Sequence, residues 1–259
     1  MENLVTRLLR LPPVFSEHGQ QVDRLMLYVH ALMLLLFIGW GVFFVYSIWR
    51  FRVRRNARAD HLGVRSHVSS YLEIGVAAVE AILLVGFAIP MWARGASPGN
   101  FPAEKDATVI RIIGKQFSWM ARYPGPDGVF GKGDPRLVSA QNPLGADPAD
   151  PQGKDDIVVD SSEVVVPVGK PVIAYIGSLD VIHSFAVKPM RLTQDAIPGL
   201  SIPVWFKPTK VGTNQINCAQ LCGNGHANMR GLLKVVTPEE YEAWLKSKAK
   251  TGGTAPTYE

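Results

Sequence analysis

The sequence contains very little cysteine, with only two among its 259 residues. Both lie in one stretch, Cys218 to Met229 (CAQLCGNGHANM), so a scaffold held together by several disulfides is excluded. The haem-attachment pattern C-x-x-C-H is also absent from the sequence, which excludes a c-type cytochrome fused to this chain. The sequence has no repeat of solenoid length either, so its most distinctive chemistry lies in this one short stretch.

The sequence has no strong excess of positive charge outside its first third. Residues 1–94 carry ten arginines against six acidic residues, whereas residues 95–259 carry seventeen basic against sixteen acidic residues. The net charge of +5 therefore belongs mostly to the first third, and a nucleic-acid-binding surface is not indicated. Because this same third contains two long apolar runs, we expect a membrane rather than a nucleic acid as its partner.

Two segments are apolar for long enough to cross a membrane. Leu25–Trp49 contains 25 residues without an acid or a strong base, and Leu72–Trp92 contains 21 residues. As helices with a rise of ~1.5 Å per residue they would reach about 37 Å and about 31 Å. Both lengths cover a hydrocarbon layer of about 30 Å, and Trp49 and Trp92 would lie at its surface. The spacing predicts a two-helix transmembrane hairpin over residues 25–94.

The loop between the predicted helices contains almost no acid. Such a basic loop stays on the cytoplasmic side, which places both termini outside. The first residues show no small-residue cleavage site, so we expect an uncleaved anchor. The sequence thus predicts an extracytoplasmic segment at 1–24, an extracytoplasmic domain at 95–248 and a mobile tail at 249–259. The charged residues of the loop are Asp60 and six arginines, Arg50, Arg52, Arg54, Arg55, Arg58 and Arg65.

The outer domain alternates short β-branched and aromatic stretches with glycine and proline. This pattern predicts a β-sandwich or barrel, interrupted by a long irregular loop over Tyr123–Lys154. A short final helix is predicted after Thr237, which together with Glu240 fits a capping box. Over residues 127–163 eight acids accompany three bases. This charge indicates either a solvated loop or an acidic patch that attracts a basic partner protein.

The stretch from Cys218 to Met229 has two interpretations, a cystine loop or a metal site. Cys218 and Cys222 would close only a very short loop, which gives little entropic stabilisation. His226 and Met229 follow closely, and a thiolate, an imidazole and a thioether together suit copper better than zinc. His183 is the second imidazole in the outer domain, since the remaining histidines lie near the first helix or on the cytoplasmic side. Two cysteines allow two bridging thiolates and hence two copper ions.

From Leu25 onward the chain resembles subunit II of the haem–copper cytochrome c oxidases. The likeness rests on the two-helix hairpin and on the stretches DVIHSF, QDAIPG and CAQLCGNGHANMRG. It implies an all-β cupredoxin-like Greek-key barrel that holds a CuA centre of two copper ions. In such a centre two thiolates bridge the metals, two imidazoles are terminal ligands, and a thioether and a backbone carbonyl are weak axial ligands. Transferred position by position, these ligands are Cys218 and Cys222, His183 and His226, and Met229 and the carbonyl of Gln220.

The resemblance also implies a function and a set of partners. The chain would accept electrons from a separate cytochrome c and pass them through CuA to haem in subunit I. There oxygen would be reduced to water and protons pumped, with subunit III as a further partner, in the inner membrane of a bacterium. Two alternatives stay open: a CuA subunit of a nitric oxide reductase and, in a different class, a membrane-anchored copper-binding or chaperone protein.

Two positions in the outer domain depart from the family pattern. Gln220 replaces a glutamate whose side chain binds magnesium at the boundary with subunit I, and an amide is a weaker ligand for this ion. The resemblance therefore gives only weak support for a magnesium site. Phe117 replaces the tryptophan that receives electrons, and Trp119 matches the second tryptophan of that strand. We expect both side chains on one face of a strand, serving either electron uptake or barrel packing.

Two acids lie in the second predicted membrane helix. Glu73 matches a family carboxylate at the cytoplasmic mouth of a proton pathway; alternatively it is an acid that reaches water from the helix end. Glu80 lies seven residues later, where the family has proline, and about 10 Å deeper on the same face. We expect an acid at that depth to face a partner chain or to be protonated.

Overall fold

The computed structural model describes residues 7–56, 58, 61–63, 65–139, 142 and 144–250. Asp60 and the predicted tail beyond residue 250 lie outside the described residues. The chain forms two compact units, a helical unit of residues 1–11 and 21–94, and a β-unit of residues 12–20 and 95–259.

The helical unit contains two helices that are long and apolar enough to cross a membrane. The first, α1 (Gly19–Arg50), contains the first predicted span. The second runs without a break through α2 (Val68–Ala81), a π-helical segment (Ile82–Ala88) and α3 (Ile89–Ala96). Both helices extend beyond the predicted spans, so the connecting segment is residues 51–67, shorter than the sequence predicts. The two predicted apolar helices are confirmed.

The π-helical segment ends two residues before Pro90, and this proline accounts for it. Proline has no N–H to donate, and its ring crowds the carbonyl four residues earlier, which is that of Gly86. The amide of Ile89 accordingly bonds to the carbonyl of Leu84, five residues back, as in a π-helix. The second helix therefore continues through the proline instead of ending there.

The start of α1 lies beside the end of the second helix. The rings of Tyr28 and Phe87 meet edge to face with their centroids 5.5 Å apart. Arg94 Nη1 donates to Gln21 Oε1 at 3.4 Å. The two helices are therefore antiparallel, as a hairpin requires. None of the described residues of α2 is buried within this chain, so its surface is left for lipid or other chains.

Among the residues that the structure describes, ten strands form two five-stranded sheets in the β-unit. In chain order they are β1 (Thr108–Lys115), β2 (Ser118–Tyr123), β3 (Ile157–Val159), β4 (Glu163–Pro167), β5 (Val172–Ser178), β6 (His183–Val187), β7 (Leu192–Ala196), β8 (Ile202–Phe206), β9 (Gly212–Cys218) and β10 (Arg230–Val236). The first sheet has the order β3–β2–β1–β5–β8, and the second has the order β4–β10–β9–β6–β7. β1 runs parallel to β5 and β10 parallel to β4, whereas the other pairs are antiparallel.

The core of the β-unit lies between the two sheets. Trp119, Tyr123, Phe185 and Phe206 are among its largest fully buried side chains. The Tyr123 hydroxyl donates to the carbonyl of Val165 at 3.1 Å and accepts from the amide of the same residue at 2.8 Å. This hydroxyl is therefore paired despite its burial. The prediction of an all-β domain made of short strands is confirmed.

The segment that precedes α1 packs into the β-unit. Phe15 N donates to Pro189 O at 2.9 Å, and Thr209 N donates to Phe15 O at 2.8 Å. Ser16 is buried, and its hydroxyl donates to Met190 O at 2.6 Å. The sequence predicts one N-terminal segment over residues 1–24, whereas in the structure its residues 12–20 belong to the β-unit.

The final helix, α4 (Pro238–Lys250), begins at the predicted capping box. Thr237 N donates to Glu240 Oε2 at 2.9 Å, and Glu240 N donates to Thr237 Oγ1 at 3.2 Å. Trp244 meets the buried Tyr123 edge to face with centroids 5.0 Å apart, which holds the helix against the sandwich. The capping box is confirmed, and the predicted long loop lies between β2 and β3.

Candidate metal centre

Two neighbouring strands bring His183 and the cysteine loop together. β6 begins at His183, β9 ends at Cys218, and the two strands pair antiparallel with Phe185 opposite Cys218. Both ends therefore lie at the same edge of the second sheet. The loop runs from Cys218 through a short 3₁₀ turn at His226–Asn228, and β10 begins directly after Met229.

The two thiols and their neighbours form one cluster. The sulfur atoms of Cys218 and Cys222 are 3.7 Å apart, well beyond the disulfide bond length of about 2.05 Å. Cys218 Sγ is 3.9 Å from Nδ1 of His183, and Cys222 Sγ is 3.6 Å from Nδ1 of His226. Cys222 Sγ is also 3.8 Å from Sδ of Met229. Both cysteines are free thiols, which argues against the cystine interpretation.

The donor atoms of this cluster fit copper. Those of His183, Cys218 and Cys222 all lie within 4.8 Å of one another. Two sulfurs 3.7 Å apart can both bind one ion, because a metal–sulfur bond is about 2.3 Å long. The backbone carbonyl of Gln220 is 3.1 Å from Cys218 Sγ, so it also faces the cluster. Thiolate, imidazole and thioether donors together match a soft copper ion better than a hard cation.

The side chains of the cluster are almost entirely buried, and this burial changes the pKa of a thiol. His183 is fully buried, and the exposed fraction is 9% for Cys218, 4% for Cys222 and 1% for Met229. Burial first, and the neighbouring Cys218 thiol second, raise the pKa of Cys222 to about 11. Because a metal binds the thiolate, a bound metal must displace this proton at neutral pH.

Asp180 fixes the orientation of His183. Nε2 of His183 is 2.8 Å from Asp180 Oδ1, and a carboxylate only accepts, so Nε2 carries the proton and Nδ1 keeps its lone pair towards the thiols. Burial raises the pKa of Asp180, but hydrogen bonds from the Gln116 amide, His183 and the Val181 amide outweigh it and lower the pKa. Sequence reasoning missed Asp180; its signal is an acid three residues before His183.

The turn between β1 and β2 is tied to the cluster by Gln116. Gln116 N donates to Asp180 Oδ2 at 2.6 Å, and Gln116 Nε2 donates to Cys222 O at 2.7 Å. The half-buried ring of Phe117 lies against the cysteine loop, because a Cβ at Gly225 would be only 2.4 Å from Phe117 Cδ2. Phe117 thus covers the loop that carries the cysteines, and sequence reasoning missed the role of Gln116.

The expectation that Phe117 and Trp119 share one face of a strand is wrong. Lys115 pairs with Ser118 across a two-residue turn, so Phe117 lies in the turn and not in β2. Trp119 is fully buried and meets the rings of His183 and Phe185 at centroid distances of 6.0 Å and 5.4 Å. A donor protein therefore cannot touch Trp119 directly.

Close packing around His183 extends to the neighbouring sheet. A Cβ at Gly114 would lie 2.9 Å from Cδ2 of His183 and 3.2 Å from the Trp119 ring. Only glycine leaves room there for the imidazole. The Trp119 Nε1 is buried and finds no hydrogen-bond partner among the described residues, so the contacts of this ring with its neighbours are packing contacts.

The other predicted site residues lie outside the cluster. The side chain of Gln220 is exposed, although its carbonyl faces Cys218. Glu73 and Glu80 belong to α2 in the helical unit. Both are exposed, and neither makes a hydrogen bond or ion pair with any residue that the structure describes.

Several acidic residues between positions 127 and 163 form ion pairs or hydrogen bonds within the β-unit. Asp156 forms a buried ion pair with Arg122. Lys115 Nζ pairs with Asp160 at 2.9 Å, and the amide of Lys132 donates to Asp150 Oδ2 at 2.7 Å. These contacts favour a structured surface loop over an acidic patch for a basic partner.

Comparison with known proteins connects this architecture to a family. Residues 108–236 match the family model for the periplasmic domain of cytochrome c oxidase subunit II. The chain is 34% identical to the alternative cytochrome c oxidase subunit 2 of Bradyrhizobium diazoefficiens, over 82% of this chain and 74% of that protein. It is 32% identical to cytochrome c oxidase subunit 2 of Thermostichus vulcanus, over 95% of this chain and 80% of that protein.

A similar protein is also found among solved structures. The periplasmic domain of subunit II of cytochrome oxidase of Bradyrhizobium japonicum is 31% identical, with a TM-score of 0.42, covering 56% of this chain and 96% of that one. Proteins of the matched family bind CuA, and the cluster at His183, Cys218 and Cys222 can hold a metal. The chain has two apolar helices as a membrane anchor and a periplasmic domain. It belongs to the cytochrome c oxidase subunit II family.

Proposed function

We propose that this chain is the electron-accepting subunit of a respiratory haem–copper oxidase. It takes single electrons from a separate cytochrome c and passes them through a binuclear CuA centre to haem in subunit I. There oxygen is reduced to water, and the reaction is coupled to proton pumping. The chain crosses the bacterial inner membrane twice, with both termini and the β-unit on the periplasmic side.

The observation that carries this proposal is the group of donor atoms around two sulfurs 3.7 Å apart. Two copper ions held by two thiolates would share one electron, which would keep bond-length changes between redox states small and electron transfer fast. Cys218 and Cys222 would supply these bridges, and His183 and His226 the terminal nitrogens. The axial positions would belong to Met229 and to the backbone carbonyl of Gln220.

Asp180 and Gln116 keep the ligands in place. Asp180 accepts from Nε2 of His183 at 2.8 Å and so holds the imidazole with Nδ1 towards the sulfurs. Gln116 ties the β1–β2 turn both to Asp180 and to the carbonyl of Cys222. A rigid ligand set keeps the reorganisation during electron transfer small, which is what an electron relay needs.

Phe117 is the proposed contact for the electron donor. Its ring is half-buried and lies on the backbone of the cysteine loop at Gly223 and Gly225. An electron arriving at this ring is next to the loop that carries Cys222 and His226. Trp119 is buried below the surface, so it would contribute to electron transfer only through its ring contact with His183.

The helical unit is proposed to join subunit I, with subunit III in the same complex. Glu73 is exposed near the cytoplasmic end of α2, where it would form the mouth of a proton pathway. Gln220 lacks the charge that binds a hard dication well, so a magnesium ion at the boundary with subunit I has weak support.

Rapid mixing of reduced cytochrome c with the purified holo-oxidase tests this function. We expect oxidation of the donor to coincide with reduction of the copper centre, followed by reduction of haem in subunit I. In the Cys222→Ser holo-oxidase both steps should be lost. Haem reduction at the wild-type rate in that variant would contradict the proposal, and a copper chaperone would pass no electrons to haem at all.

A further inference from the structure

A cavity opens between the two helices of the helical unit. Its volume is about 240 Å³, and it lies where the start of α1 faces the end of the second helix. Nine residues line it, and they divide into a polar and an apolar group. The polar group is Gln21, Arg24 and Arg94, and the apolar group includes Tyr28, Phe87 and Met91.

The two groups occupy different depths. Gln21 and Tyr28 are seven residues apart in α1, which corresponds to about 10 Å along the helix axis. Phe87 and Arg94 are separated by the same number of residues in the second helix. The Tyr28 and Phe87 rings meet at 5.5 Å at the deep end, and Arg94 bonds to Gln21 at the shallow end. The cavity therefore changes from charged to apolar along the helices.

The shallow end is positively charged. Arg24 and Arg94 both line it, and none of its nine described lining residues is acidic. Arg24 is exposed and makes no hydrogen bond or ion pair with any residue that the structure describes. Asp23 is fully buried and does not line the cavity. The first turn of α1 adds the partial positive charge of a helix N-terminus.

The depth of the cavity matches the boundary between lipid headgroups and acyl chains. Arg24 and Arg94 mark the ends of the two apolar spans, and Trp92 lies beside Arg94. Arginine and tryptophan at the ends of membrane helices lie at the headgroup level. Tyr28 lies about one turn further in than Arg24, and Phe87 about two turns further in than Arg94, so both rings lie among the acyl chains.

We propose that this cavity binds an anionic phospholipid, with its phosphate between Arg24 and Arg94 and an acyl chain against Tyr28 and Phe87. Arginine donates to phosphate oxygens through parallel N–H groups, which suits a headgroup held between two of them. Inorganic phosphate shares this chemistry, but it offers nothing to the apolar wall. The site needs no copper, so its test is independent of the proposed electron-transfer function.

Native mass spectrometry of the delipidated holo-oxidase, titrated with phosphatidylglycerol, tests this site. We expect one tightly bound lipid in the wild type and about fivefold weaker binding of that lipid in Arg24→Gln, the effect of one basic side chain near an anionic membrane surface. Arg7→Gln removes a charge from outside the cavity and should bind the lipid as the wild type does. Arg24→Lys keeps the charge but lacks the parallel N–H groups of arginine, so its affinity should lie between those of Arg24→Gln and the wild type.

Three results would overturn the lipid site. The first is wild-type affinity for phosphatidylglycerol in Arg24→Gln. The second is a failure of lipid selectivity. Equal retention of phosphatidylcholine and phosphatidylglycerol would show that the headgroup charge is not recognised, and full competition by inorganic phosphate would show that the acyl chain is not recognised. The third is a wild-type complex that binds no lipid at this position because a side chain of another subunit fills it. Unchanged copper spectra in every variant would show that the metal centre is not involved.

Discussion

The cysteine loop and the second membrane helix differ in whether other residues of the chain contact their reactive side chains. Around the loop, other residues of the same chain hold parts of the site in place: Asp180 holds His183, Gln116 holds the Cys222 carbonyl, and the Phe117 ring covers the backbone. In the helix, Glu73 and Glu80 are exposed and have no partner among the described residues.

The cysteine loop is therefore held in place within this chain, whereas the two helix carboxylates have no partner among the described residues. Metal ligands must be preorganised, and the β-sandwich provides that from within one chain. A carboxylate in a membrane helix needs a polar partner or water, and none of the residues that the structure describes is a partner of Glu73 or Glu80. Variants at the loop should therefore act on the isolated chain, and variants in the helix only in the assembled complex.

The largest effect is expected from Cys222→Ser. Loss of one of the two bridging sulfurs leaves only the Cys218 thiolate to join two copper ions, so the binuclear centre should be lost. Metal analysis and EPR of the full chain in detergent measure this, and near-UV circular dichroism checks that the β-unit still folds. A folded variant that keeps two coppers per chain would show that the sulfurs do not bridge.

Asp180→Asn should weaken copper binding by about 10- to 100-fold, the usual cost of losing a carboxylate behind a ligand histidine. The amide has nearly the same shape, so folding should be retained. Competition with a copper chelator measures the affinity, and Asp106→Asn, at an exposed position, is the matched control. An affinity equal to that of the control would mean that Asp180 does not position His183.

Phe117→Ala should slow electron uptake from cytochrome c by about tenfold, as expected for removal of an aromatic contact at the centre of an interface. The optical and EPR spectra of copper should stay unchanged, because Phe117 is not a ligand. Phe117→Trp keeps an aromatic ring and should restore the rate. If stopped-flow mixing gave the wild-type rate for Phe117→Ala, the donor would dock elsewhere.

The smallest effect on the metal centre is expected from Glu73→Gln. This variant should slow proton uptake several-fold in the assembled oxidase, measured with a pH-sensitive dye, and should leave copper content and spectra unchanged. Glu73→Asp keeps the acid and is the control. A change of the copper spectrum in Glu73→Gln would contradict the expectation that the helix carboxylate and the metal centre act independently.

The sequence predicts the members of the cluster better than it predicts the residues that hold them in place. Cys218, Cys222, His226 and Met229 are close in the chain, so their types and spacing are visible directly. Asp180 and Gln116 act on the same centre from separate segments, and no local pattern connects residue 116 to residue 222. Their role depends on strand pairing, which becomes visible only in the fold.

Local geometry also explains the other differences between prediction and structure. Alternation along a strand places Phe117 and Trp119 on one face, but a two-residue turn ends the alternation at Lys115. The apolar run over the second helix predicts a span but carries no sign of the π-helical segment, which depends on the single Pro90. Residues 12–20 join the β-unit in part through backbone hydrogen bonds, which side-chain patterns do not reveal.

The EPR spectrum of the full chain loaded with copper, combined with its copper content, shows whether the cluster holds one copper ion or two. We predict two coppers per chain and a mixed-valence spectrum in which one unpaired electron couples equally to two copper nuclei. A spectrum with coupling to a single copper nucleus, or a content of one copper per chain, would contradict the binuclear centre.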